Sequence, residues 1–258
     1  MRNILLEIEY DGSGFSGWQA QPGKRTVQGE LTRALSLVCG AEVRLNGTSR
    51  TDAGVHAYGQ AANFTGDFGI PADRIPLAVN NLTEDVKIVG ARDVAEDFHA
   101  RHDAAGKTYL YRISATKTPD IFMRKYRYQV TEELDADGMR MAADALIGTH
   151  DFSSFRSAGG SPDADPVKTL TGLTVRDFQG TDSRGEALTE YEIRVTGSAF
   201  LYNMVRIIAG TLVETGLGKR RPESMAETLA AKERRRAGST APAAGLWLEK
   251  VHFKDGAS

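Results

Sequence analysis

The chain has 258 residues, 41% hydrophobic and 26% charged, the balance of a folded globular protein rather than a disordered, fibrous or membrane-embedded one. Its 32 basic and 34 acidic residues leave a net charge of −2, so gross charge does not mark a dedicated nucleic-acid binder, and a single cysteine, Cys39, excludes an intrachain disulfide. No run of about 18 apolar residues is present, and Glu7 interrupts the apolar start that a signal peptide needs, so the expectation is a cytoplasmic protein without a membrane segment.

Asn3 to Tyr10 alternates Ile4, Leu6, Ile8 and Tyr10, the period of a half-buried strand, and Asp11-Gly12-Ser13-Gly14 ends it. From Thr26, Val27, Leu31, Ala34, Leu35 and Val38 fall on one helical face, with Thr26 placed to cap and Gly40 to stop. Glu42 to Leu45 and Tyr58 to Phe64 read as strands joined by a loop rich in turn formers, Asn46 to Gly54. A helix over Ala72 to Leu82 and a strand over Val86 to Ala91 complete a β-α-β-β-α-β order.

The second half repeats that order with longer insertions. Lys107 to Ala115 alternates as a strand, Asp137 to Ile147 has helical spacing with Gly148 as its stop, and strands follow at Lys168 to Asp177 and Glu190 to Thr196. A helix from Phe200 to Thr215, another starting at Pro222 and a strand over Leu246 to Phe253 close the chain. The expected fold class is α+β, two ferredoxin-like (split βαβ) halves whose antiparallel sheets lie side by side and leave a central cleft, with one half over residues 1–105 and the other over 106–258. The first half carries 10 basic against 14 acidic residues and the second 22 against 20, so any polyanion would have to meet a locally gathered basic surface such as Lys219-Arg220-Arg221 or Arg234-Arg235-Arg236.

One segment stands out for chemistry. In Arg50-Thr51-Asp52-Ala53-Gly54-Val55-His56-Ala57 an acid follows a base by two residues, and in extended backbone the two would share a side, with Arg50 keeping Asp52 ionised. The plainer reading is that Asp52 supports a turn. His56 has no second histidine or cysteine pair nearby, so no metal site is expected.

Tyr10-Asp11-Gly12-Ser13-Gly14-Phe15-Ser16-Gly17-Trp18-Gln19, Arg50 to Ala57, Phe98-His99-Ala100-Arg101, Lys107-Thr108-Tyr109-Leu110-Tyr111 and Phe200-Leu201-Tyr202-Asn203-Met204-Val205-Arg206 resemble, in order, the motifs of the tRNA pseudouridine synthase A family. The one departure is Ser49, where the family more often has glycine. The resemblance implies the pseudouridine synthase fold and the isomerisation of uridine to pseudouridine at tRNA positions 38, 39 and 40. It implies no cofactor, and no phosphate-binding nucleotide fingerprint is found in the sequence. It also implies a homodimer that takes the anticodon arm of tRNA as its partner.

Carried over residue by residue, Asp52 matches the catalytic aspartate, whether it attacks C1′, attacks C6 or takes the C2′ proton. Tyr109 matches a tyrosine suited to stack on uracil or serve proton transfer at C5. Arg206 matches the cation that holds the carboxylate ionised. Arg50 is a second basic candidate, for the carboxylate, the tRNA backbone or base flipping. Leu246 matches an apolar residue on the far face of the uracil. Each has a structural alternative: Tyr109 and Leu246 as strand core, Arg206 as an exposed helix arginine. Two rival functions also fit parts of the sequence. A noncatalytic RNA-binding module would use Tyr109 and Tyr111 as an exposed stacking pair, but gains nothing from an acid beside a polyanion. A glycosidic hydrolase would want two acids where this loop offers one.

Overall fold

The computed structural model describes residues 1–160 and 163–254. Its elements in chain order are β1 (Arg2–Tyr10), α1 (Val27–Cys39), β2 (Asn46–Gly47), β3 (His56–Gly66), α2 (Ile75–Asn80), β4 (Val86–Val94), β5 (Ala104–Ala115), β6 (Tyr128–Val130), α3 (Ala136–Asp144), β7 (Gly148–Asp151), β8 (Val167–Thr181), β9 (Ala187–Gly197), α4 (Met204–Gly216), α5 (Ser224–Ala231) and β10 (Leu246–Phe253). The protein is therefore mixed α+β. It divides into two compact units, Met1–Lys107 with Trp247–Ser258, and Thr108–Leu246. The closing strand thus groups with the first unit, whereas a simple cut at 105/106 would give it to the second. A linear cut misses it because strand pairing joins residues far apart in sequence.

In the first unit β1 is flanked antiparallel by β3 and β4, and β3 takes β2 antiparallel and β10 parallel on its other edge. Ile4, Leu5, Leu6, Ile8 and Tyr10 of β1 are buried. Helix α1 buries Val27, Leu31, Ala34 and Leu35, and its ends follow the expected chemistry: Thr26 accepts from the Gly29 amide, and Gly40 turns left-handed at φ +67. Two local expectations are corrected. Residues 42–45 form no strand, and the pairing partner of β3 is Asn46–Gly47. Val43 N–H is instead bonded to the Ser36 hydroxyl. Ala72 to Leu82 is a 3₁₀ turn, Ala72–Arg74, followed by the short α2 with proline in its first turn.

In the second unit β7, β8 and β9 form an antiparallel ribbon, and the short β6 pairs parallel with the end of β5. The strands β6 and β7 are too short to announce themselves by alternation. Helix α4 is buried almost all round, which matches its continuous apolar sequence, each large side chain contributing about 1.5–3 kcal/mol relative to exposure. It begins at Met204, not Phe200, because Asn203 sits in the left-handed region at φ 60 and cannot be a helical residue. Helix α3 ends at Asp144, and Gly148, at φ +114, opens β7 rather than stopping the helix.

Candidate active site

Asp52 lies on the segment between β2 and β3, half-buried, and the backbone around it is fixed on both sides. Thr48 donates from its amide and its hydroxyl to the Ala61 carbonyl, and Gln60 donates to the Ser49 carbonyl. Thr51 is buried and doubly held: its carbonyl accepts the Trp18 amide at 3.0 Å, and its hydroxyl meets the Tyr10 hydroxyl at 2.8 Å. Past Asp52 the chain turns, with Val55 N–H donating to the Asp52 carbonyl at 3.1 Å and Gly54 left-handed at φ +79.

The glycines of residues 12–17 explain why the first motif accompanies this loop. A Cβ on Gly12 would fall 1.9 Å from the Val55 carbonyl oxygen, and one on Gly17, at φ +92, would fall 2.7 Å from the Thr51 carbonyl oxygen. Both are backbone against backbone, so no side chain can move aside to admit a methyl group. The residues 10–18 are the cradle on which the Asp52 loop rests.

His56 is fully buried. Its Nδ1 lies 3.0 Å from the Gly12 amide nitrogen and 3.2 Å from the Asp11 carboxylate. The ring stacks on Trp247 at 4.2 Å, and Trp247 stacks in turn against Tyr58 at 4.5 Å. His56 is thus a packing residue, and among the described residues no cluster of three or more histidine, cysteine or acidic side chains is placed to hold a metal ion.

Arg50 is exposed and makes no ion pair among the described residues, so the expected same-side pairing with Asp52 does not form. The physical reason is the turn: the alternation that brings i and i+2 together belongs to strands, and residues 50–55 are not one. Arg50 instead lines a polar cleft with Trp18, Gln19, His99, Arg101 and His102. The 98–102 segment is anchored by two buried asparagines. Asn3 and Asn63 both donate to the Phe98 carbonyl, Asn63 accepts the Ala100 amide at 3.0 Å, and the two side chains bond each other at 2.9 Å. Nothing in the hydrophobic pattern distinguishes these asparagines, which sit in strands β1 and β3 where an apolar residue would serve; their signal is polarity at buried positions.

In the second unit Tyr109 is buried and packs edge-to-face on Phe200, ring centroids 5.0 Å apart. Tyr111 is fully buried, its hydroxyl donating to the Pro242 carbonyl at 2.8 Å, so the exposed stacking pair required by a noncatalytic RNA-binding reading is not formed. Burial pushes the Tyr111 hydroxyl well above its ordinary pKa, against a smaller opposing pull from the Arg206 charge.

Arg206 is half-buried in the first turns of α4. It donates from Nε to the Ala241 carbonyl at 2.8 Å and from Nη1 to Asn203 Oδ1 at 3.0 Å, while the Ala241 amide donates back to the Arg206 carbonyl at 3.1 Å. This contact exists because α4 has glycine at 210, where a Cβ would fall 1.9 Å from the Ser239 carbonyl oxygen, letting the 238–242 strap lie directly on the helix. Leu246, buried, follows that strap at the start of β10.

Of the two basic runs, Lys219 and Arg221 are exposed, but Arg220 is spent on Glu214 and the Arg236 carbonyl, and Arg234 on the carbonyls of Ala237 and Gly238. The two runs are brought together by these bonds.

The family model for tRNA pseudouridine synthase matches residues 7–103 and 142–254. A protein of Acetivibrio thermocellus is 44% identical over 254 residues, covering 98% of this chain and all of that protein, and one of Bacillus subtilis (strain 168) is 45% identical over 253 residues, covering 97% of this chain and 98% of that protein. A third, from Halalkalibacterium halodurans, is 45% identical over 258 residues, covering 99% of this chain and 94% of that protein. All three are named tRNA pseudouridine synthase A. The chain belongs to the tRNA pseudouridine synthase family.

Proposed function

We propose that this protein isomerises uridine to pseudouridine at positions 38, 39 and 40 in the anticodon arm of tRNA, with Asp52 as the catalytic carboxylate and no cofactor. The observation that carries the assignment to Asp52 is the bracing of its loop: a carboxylate presented on a backbone gripped at Thr48, Ser49, Thr51 and Val55 is held in one place, as chemistry requires and a mere turn residue does not.

The reaction breaks the N1–C1′ bond, turns the uracil, forms the C5–C1′ bond, moves the C5 proton off carbon and returns a proton to N1, so that atoms balance without an external reactant. Asp52 starts it in its ionised form. Tyr109 offers its ring to the uracil, supported by the edge-to-face brace from Phe200, a residue of the same family motif as Arg206. Arg206 supplies positive charge for the carboxylate, and Leu246 an apolar face. Flipping the base out of its stack costs a few kcal/mol, to be recovered from contacts of this kind.

The finer architecture belongs to the same proposal. The order β4-β1-β3-β2 in the first unit supports a ferredoxin-like half, with the second half an enlarged version. The protein acts as a homodimer in the cytoplasm, concentrating basic surface that a chain of net charge −2 lacks. The test is to incubate unmodified tRNA with the wild type and with Asp52→Asn and map pseudouridine by position. Product at 38–40 from the wild type alone is expected; equal product from Asp52→Asn would remove Asp52 from the chemistry.

A further inference from the structure

Four arginines of the first unit have protein partners: Arg2 on Asp93, Arg25 on Glu30 and Asp85, Arg74 on Asp73, Arg33 on the Leu82 carbonyl. Arg44, Arg50, Arg92 and Arg101 do not: among the described residues none of these guanidiniums makes a hydrogen bond or ion pair, and of the four only Arg50 and Arg101 line a common polar cleft, which also holds His99 and His102. No carboxylate lines that cleft. The nearest acid in the loop, Asp103, is turned to the His99 amide, which it accepts at 2.8 Å.

The cleft is built rather than incidental. Its floor is Trp18, seated so closely on β2 that a Cβ at Gly47 would fall 2.4 Å from the indole nitrogen. Its wall is the 98–102 turn, fixed from beneath by Asn3 and Asn63, with the His99 and His102 rings 4.3 Å apart and His99 Nδ1 accepting the Arg101 amide. Positive charge is crowded here. Lys107, largely buried, has its ammonium pushed to lower pKa by burial and, after that, by the Arg101 charge. Exposed guanidiniums gathered without an acid are met only by water until an anion arrives, and two of them favour a phosphate, whose oxygens accept their paired donors.

We propose that this cleft binds a phosphodiester of the RNA strand on which Asp52 acts, with Arg50 and Arg101 as its two cations and His99 and His102 as its donor wall. The proposal rests on the RNA-modifying reading above. Arg101 is a positioning residue: one residue, Thr51, separates Arg50 from Asp52, so a phosphate gripped here fixes the strand beside the carboxylate without touching the reacting atoms.

The experiment uses the full-length protein and a 17-nucleotide anticodon stem-loop RNA. Kd is measured across a salt series, and initial rates across RNA concentration, for wild type, Arg101→Gln, Arg101→Lys and Arg92→Gln, the last a half-buried β4 residue outside the cleft. For Arg101→Gln the expected result is a Kd raised about 5–20-fold and a slope of log K against log salt reduced by about 0.7–0.9, one phosphate contact. The rate loss should sit in the half-saturating RNA concentration rather than in the plateau. Arg101→Lys should restore most of the slope, and Arg92→Gln should match wild type. A wild-type slope in Arg101→Gln, an equal drop in Arg92→Gln, a plateau loss beyond about 100-fold, or a wild type that does not bind the RNA would each overturn the proposal. Binding with the expected slopes but no pseudouridine from wild type would sink the functional reading and leave the phosphate cleft standing.

Discussion

The hydroxyls of Tyr10 and Thr51 meet at 2.8 Å in a buried pair that ties the end of β1 to the residue immediately before Asp52. The aromatic end of the first strand is therefore part of the support of the acidic loop, and the tie is worth about 0.5–1.5 kcal/mol. Tyr10→Phe should lower stability by that amount and reduce pseudouridine formation several-fold, measured by urea melts and single-turnover assays. Unchanged turnover would show that the Trp18 and Val55 contacts hold the loop without it.

A harsher perturbation acts through Gly12. Gly12→Ala places a methyl against the Val55 carbonyl and should cost about 1–3 kcal/mol of stability. A displacement of the loop near 1 Å should cost activity about 100-fold. Gly23→Ala is the control, since Gly23 has φ +69 but open space around it: it should lose stability by backbone strain and keep its turnover. Similar turnover in the two variants would separate the cradle from catalysis.

Asp52→Asn and Asp52→Ala should abolish turnover while leaving melting temperature and stem-loop affinity within a few-fold of wild type, because phosphate contacts dominate RNA affinity. Loss of RNA binding in step with activity would instead mark Asp52 as part of the fold.

Arg206→Met removes the donor to the Ala241 carbonyl and to Asn203, and should cost about 1–3 kcal/mol together with most of the activity. Arg206→Lys should recover part of the stability but little activity, since a single ammonium cannot reproduce the fork. Full activity in the lysine variant would show that charge alone is needed.

Tyr111 gives a pH prediction. Its folded pKa is raised, so the neutral hydroxyl is favoured by folding; that stability is complete below the ordinary value near 10 and is lost as pH climbs from there toward the raised value. Tyr111→Phe should be less stable at pH 7 by about 1 kcal/mol, for want of the bond to Pro242, and should flatten the alkaline decline in denaturant midpoints between about pH 10 and 11. An unchanged alkaline slope would assign the decline to another group, such as Tyr191, whose pKa is also raised by burial.

Assembly can be tested directly. Sedimentation at micromolar concentration should show a dimer; a fully active monomer would remove the homodimer from the proposal.

The sequence carried β1, α1 and β10 to within a residue or two because alternation, a capping threonine and a stop glycine are local signals. It misplaced β2 and the start of α4 because those depend on contacts from elsewhere: β3 selects Asn46–Gly47, and Asn203 adopts a left-handed turn on entry to the buried helix. Asp52, Tyr109, Arg206 and Leu246 enter as candidates through family motifs, not through periodicity, which would make two of them core residues. The service of Gly12, Gly17, Asn3 and Asn63 was not visible at all, since backbone approach and buried amide bonds leave no repeating pattern.

The stacking of Trp247 on His56 and the parallel pairing of β10 with β3 carry a consequence for synthesis. When the ribosome has released residues 1–107, part of the β3 edge and one face of the His56 ring are still bare, and they remain so until nearly 250 residues have been made. The nascent first unit therefore carries an open strand edge while residues 108–246 are being made, the circumstance in which strand-to-strand association between chains is favoured. A chain truncated before Trp247 should be prone to aggregate even though most of its secondary structure is encoded.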